Sequence, residues 1–302
     1  MVAGVPSSLS DAYGYCARVA REHYENFPVA SRLLPRRMRP HLAAIYAFAR
    51  VADDYADEGQ RDPAERLTLL DEWRRRLRAC AAGEPDQPQA PHRAVFAALA
   101  HTIATCRLPA QLLDDLLSAF IQDVTTKRYD TWGEVLDYCR RSANPVGRLV
   151  LRVAGHEDAA LDLSSDSLCT ALQLTNFWQD LERDWAAGRL YVPLETASGF
   201  GALAEDFDPA ALSLRWQSAL GHAADRTRTL FEEGRHVCDG VPGRLRLELR
   251  LTWLGGMTIL DRLVAARFDV HRARPTLRVR DAPGLLWRAI RWNAKDSSRR
   301  QA

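Results

Sequence analysis

Along this 302-residue chain apolar positions recur at helical spacing and almost nowhere alternate with period two. Leu112, Leu113, Leu116, Leu117, Phe120, Ile121 and Val124 trace one helical stripe. Leu67, Leu70, Trp73 and Leu77 begin another on a strongly charged helix. The pattern breaks at residues 83–91, at residues 193–209 with their glycines, and from Arg274-Pro275 onward. No repeat appears and no linker divides the chain. The prediction is an all-α fold, a single bundle of roughly ten helices over residues 1–272. A basic tail, 273–302, follows it with a candidate amphipathic helix.

Polar residues interrupt this pattern in two places. Asp53, Asp54, Asp57 and Glu58 fall within little more than one turn, after a largely apolar run from His41 to Arg50. Like charges three or four apart on a helix repel by a few tenths of a kcal/mol, and acidic groups at a helix C-terminus oppose its dipole. Tyr46, Arg50, Asp53 and Asp57 form one ladder, which reads either as a solvated helix end stopped by Gly59 or as a cation site. A second ladder, Gln173, Asn176, Asp180 and Asp184, is expected on one continuous helix closed by Gly188 and Pro193. Two carboxylate ladders facing one another across a cavity would need cations. Oxygen-only ligands suit Mg²⁺, which bridges one or two carboxylates to phosphate oxygens, and do not suit zinc.

Composition narrows the setting. The 41 basic and 39 acidic residues leave a net charge of +2, which argues against a nucleic-acid partner. Six scattered cysteines suit a reducing compartment. The expectation is a soluble, cytoplasmic chain without leader or membrane span, and no GxGxxG fingerprint signals a dinucleotide.

Three motifs stand in order: Tyr46-Ala-Phe-Ala-Arg50 before Asp53-Asp-Tyr-Ala-Asp57; Asp137-Tyr-Cys-Arg-Arg-Ser-Ala-Asn-Pro-Val-Gly147; and residues 173–184 with Gly188-Arg-Leu-Tyr-Val-Pro193. With them the chain resembles the squalene/phytoene synthases, head-to-head prenyl transferases of the isoprenoid synthase fold, a helical bundle around a central apolar cavity. The resemblance implies that Asp53, Asp57, Asp180 and Asp184 bind Mg²⁺, with Asp54 adjacent and the number of ions open. It places Arg50, Gln173, Asn176 and Tyr191 around the diphosphate and the reaction, and Phe27, Tyr46, Tyr138 and Gly147 near the prenyl chains.

The departures from the family pattern are Asn144 where members carry glycine, Gln179 where many carry a basic residue, and Glu25-Asn-Phe-Pro28 ahead of Leu33-Leu-Pro-Arg36. They look like the hydroxysqualene synthase branch of the hopanoid pathway. That branch expels diphosphate from presqualene diphosphate and lets water capture the cation, so no NADPH is expected, and downstream hopanoid enzymes are implied partners. Asn144-Pro145 should break its helix. Asn144, with Ser142, either positions the quenching water or caps the broken helix.

Phe27, Tyr46, Phe177 and Trp178 are candidates to stabilise a carbocation, at ~0.5–2 kcal/mol each. Gln179 and Phe177 join the substrate-lining set. In the tail, Leu286, Trp287 and Ile290 alternate with Arg288, Arg291 and Lys295, which suits either peripheral contact with the inner face of the plasma membrane or docking on the protein itself. Two alternatives stay open: an enzyme that condenses two prenyl diphosphates, and a non-catalytic assembly or lipid-binding member, against which both intact aspartate motifs argue.

Overall fold

A computed structural model describes residues 8–22 and 33–292. The helices are α1 Leu9–Glu22, α2 Arg39–Asp57, α3 Pro63–Ala81, α4 Arg93–Cys106, α5 Ala110–Thr125, α6 Trp132–Ser142, α7 Asn144–Ala154 and α8 Ala159–Gln179. They continue with α9 Leu181–Ala186, α10 Leu194–Gly199, α11 Leu214–Glu233, α12 Val237–Gly240, α13 Gly243–Ala265 and α14 Ala282–Ile290. Among the described residues there is no strand, only an isolated bridge between Arg128 and Leu190. The span expected as loop after Pro193 contains the short α10.

Local chemistry sets the helix starts. Asp62 accepts from the Glu65 N–H at 2.8 Å with Pro63 behind it, Thr131 and Glu134 form a reciprocal capping box, and Ser213 caps α11. At the end of α2, Gly59 takes φ +75°, a left-handed conformation that glycine adopts without a Cβ penalty.

The chain forms two compact units, residues 1–125 with 145–158 and residues 126–144 with 159–302. In the first, α2 packs against α1, α3, α4 and α5. Its core centres on Trp73, whose indole N–H donates to the Phe48 carbonyl and whose ring lies 5.7 Å from Phe48 and 4.6 Å from Phe96. In the second, α8 is central and packs on α6, α11 and α13. Trp178 is fully buried there and donates to Thr227 of α11 at 2.9 Å.

Two glycines let this second core close. A Cβ on Gly234 would come within 2.5 Å of the Leu168 backbone N, and one on Gly256 within 2.6 Å of the Phe231 ring.

Candidate active site

In the first unit the apolar face of α2 is buried through Leu42, Ile45, Phe48, Val51 and Ala52, which turns Tyr46, Arg50, Asp53, Asp54 and Asp57 to its polar side. The crowded carboxylates already have a cation. The Arg50 guanidinium reaches Asp53 at 3.3 Å, Asp54 at 2.5 Å, and Glu58. Part of the repulsion between these carboxylates is therefore offset within α2 itself, without a metal ion.

The relief is incomplete. Burial pushes the Asp53 carboxyl up to about 7; Asp57 raises it further, Arg50 opposes, and Asp54 and Asp123 add to the rise. Arg50 spends its terminal nitrogens on the carboxylates, and its buried Nε has no hydrogen-bond acceptor. A group carrying both cations and anionic oxygens would satisfy both.

In the second unit the expected continuous helix is broken. α8 ends at Gln179, Asp180 takes φ −104° and ψ 18°, and α9 restarts at Leu181. The bonds Asp180 N–H to Asn176 O and Asp184 N–H to Asp180 O, both 2.8 Å, keep the two pieces in register, so the ladder is bent rather than severed.

Arg274 meets the bend. Its Nε and Nη2 bind the two Asp180 oxygens at 2.6 and 3.1 Å, and the Gln179 amide donates to the Pro275 carbonyl. Arg183 lies 4.0 Å from Asp180, and Arg189 lies 3.6 Å from Asp184. Gln179, Asp180, Arg183, His271 and Arg274 line a cavity of about 280 Å³.

Among the described residues no three His, Cys, Asp or Glu side chains converge to enclose an ion by themselves. The donor set still fits Mg²⁺, which takes one or two carboxylates and completes its shell with water and phosphate. Guanidinium groups occupy the positive positions at both motifs.

A single residue, Ala143, separates α6 from α7. α6 ends at Ser142 and α7 begins at Asn144 with Pro145 in its first turn, where a missing N–H costs nothing. The Asn144 side chain is engaged across to the next helix. Its carbonyl accepts from the Thr170 hydroxyl of α8 at 2.9 Å, both residues being buried. The buried Ser142 hydroxyl has no partner.

In the second unit Phe177 and Tyr191 stack at 3.7 Å with planes 2° apart, Tyr138 lies 6.1 and 5.9 Å from them, and Tyr129 lies 5.7 Å from both Tyr138 and Tyr191. The four rings form a contiguous aromatic cluster.

The structure thus gathers Arg50 with Asp53 and Asp54, Gln179 with Asp180, and Tyr138 with Phe177 and Tyr191. Asn176 is exposed and Gln173 half-buried on α8; Gly147 sits on α7 and Trp178 is committed to the core. Phe27 lies outside the described residues. Sequence reasoning missed Tyr129, Thr170 and Arg274. Only the run of arginines around Arg274 hinted at the last.

The squalene/phytoene synthase family model matches residues 20–281. The chain is 37% identical over 248 residues to a hydroxysqualene synthase of Sinorhizobium fredii, covering 82% of this chain and 80% of the relative. It is 39% identical over 209 residues to one of Zymomonas mobilis, covering 69% and 68%. The crystal structure of a squalene synthase from Alicyclobacillus acidocaldarius superposes with TM-score 0.80 at 41% identity, covering 87% of this chain and 97% of that one.

Proposed function

This chain belongs to the squalene/phytoene synthase family and has the isoprenoid synthase fold, and from that premise we propose that it is a hydroxysqualene synthase acting on presqualene diphosphate. The carbon–oxygen bond to diphosphate breaks, the cation rearranges, and water forms the new carbon–oxygen bond. The proton released passes to diphosphate or solvent. Hydroxysqualene synthases among the relatives support the branch. The observation that carries it is the buried Asn144–Thr170 bond, a fixed amide at the family's glycine position.

On the family resemblance, Asp53 and Asp57 of the first unit, with Asp54 adjacent to Asp53, and Asp180 and Asp184 of the second are the residues that would hold Mg²⁺. Bound there, Mg²⁺ supplies Lewis-acid stabilisation of the departing diphosphate. Arg50 stabilises the same developing charge through its unpaired Nε. Tyr129, Tyr138, Phe177 and Tyr191 offer ring faces to the cation and keep bulk water away.

Thr170 occupies one lone pair of the Asn144 carbonyl and fixes the amide plane, so Asn144 orients water rather than deprotonating it. The Ser142 hydroxyl supplies a second point of attachment. Gln173, Asn176 and Gln179 complete the polar wall in this reading, with Tyr46 and Gly147 beside the prenyl chains.

The squalene synthase relative favours a second reading, in which the same cation is reduced to a hydrocarbon. Purified protein incubated with Mg²⁺ and presqualene diphosphate, with and without NADPH, separates them. Hydroxysqualene formed without NADPH is expected; squalene formed only with NADPH selects the second.

A further inference from the structure

The C-terminal helix carries its apolar stripe on the outside. α14 turns the half-buried Leu285 and the fully buried Ala289 inward, and Arg250 donates to the Ala289 carbonyl at 3.3 Å. Just beyond it Trp292 is pinned. Its indole N–H donates to Asp239 at 3.1 Å, its ring meets Trp253 edge-on at 5.3 Å, and the Arg235 guanidinium lies 4.0 Å over it.

These pins fix the rotation of α14 and leave Leu286, Trp287 and Ile290 outside at 41%, 58% and 67% exposure. Val279 and Leu277 are exposed in the turn before it. Arg278, Arg280, Arg288 and Arg291 are exposed among them. The one acidic residue of this span, Asp281, is already tied to Arg262.

We propose that this face docks on an anionic lipid bilayer, with α14 lying in the interface plane and Trp287, Ile290 and Leu286 inserted among the headgroups. An outward apolar stripe with tryptophan, flanked by arginine, is the pattern of an interfacial helix. Four arginines against one neutralised acid supply the charge complementarity, each near-surface cation adding about fivefold to partitioning. The proposal rests on this face alone and is independent of the reaction assigned above.

The structure also selects the test. Deleting the chain after Pro283 would remove the Trp292 pin, so point variants of exposed side chains are preferable. Full-length protein is sedimented with phosphatidylcholine vesicles, with and without phosphatidylglycerol. Binding is expected only to the anionic vesicles, weakening with salt, and falling about tenfold in Leu286→Ser/Ile290→Ser and about fivefold for each of Arg288→Gln and Arg291→Gln.

Quenching by brominated lipid isolates the contact itself: of the eight tryptophans, Trp287 should account for the quenching, and Trp287→Phe should abolish it. Absence of anionic-vesicle binding, equal binding to neutral vesicles, or quenching that survives Trp287→Phe overturns the proposal. So does dimerisation that disappears in the serine variant without any vesicle binding.

Discussion

The Asn144 amide is held by one hydroxyl, so Thr170 decides how still it sits. A buried hydrogen bond of this kind contributes about 1 kcal/mol. We expect Thr170→Val to leave diphosphate release nearly intact while lowering the alcohol fraction about fivefold. Product analysis against released phosphate reads this; unchanged partitioning would sink the orienting role. The departure from the family's glycine pointed to Asn144, but nothing pointed to Thr170, which lies 26 positions away on α8. A threonine inside an apolar helix carries no mark of the partner that tertiary structure brings to it.

A second residue-scale expectation concerns pH. His41 of α2 and Thr102 of α4 hydrogen-bond at 3.0 Å, and the Tyr13 hydroxyl reaches His101 at 2.8 Å. Burial, and then the charge of His101, pull the His41 pKa below its ordinary 6.5. The unfolded chain therefore binds a proton that the folded one resists. This stabilisation is complete above pH 6.5 and is lost as pH falls through the folded value. Tm measured across that window should drop on acidification, and His41→Gln should flatten the slope.

Among the helices, the stripes on α3 and α5 were legible because amphipathic spacing is a local property: Leu70, Trp73, Leu77, Leu113 and Leu117 are all buried. The bend at Asp180 was not, because backbone hydrogen bonds run through it and the residue that meets it, Arg274, arrives from far along the chain. Arg274 must leave before a cation can use both Asp180 oxygens. A half-exposed pair of this kind is worth about 0.5–1 kcal/mol. Arg274→Gln should therefore tighten Mn²⁺ binding about twofold to fivefold, measured by electron paramagnetic resonance on substrate-free protein. Unchanged affinity would show that the pair does not compete.

Helix approach supplies another expectation at this scale. Gly234→Ala would press a methyl group against the Leu168 backbone, which cannot rotate away. Overpacking of this type costs about 1–3 kcal/mol, readable from the guanidinium midpoint.

For the whole molecule, helical content and family motifs were readable from the chain, whereas the division into units was not, because no linker marks it. None of the six cysteines forms a disulfide. Burial pushes Cys80 up to about 11, and Cys16 and Cys238 up to about 12. A thiol reagent should titrate only Cys106 and Cys169 promptly in the native state, and all six after denaturation. No helix among the described residues is long and apolar enough to cross a membrane.

The units are interleaved: residues 126–144 belong with the later part of the chain and 145–158 with the earlier part. During synthesis the first unit cannot finish until Asp158 has left the ribosome. α6, which precedes that closing segment, packs on α8 and must wait until α8 has emerged behind it. Translation order and assembly order therefore differ at Asn144-Pro145, and at ordinary elongation rates α6 spends roughly two to seven seconds exposed to chaperones or to misassembly.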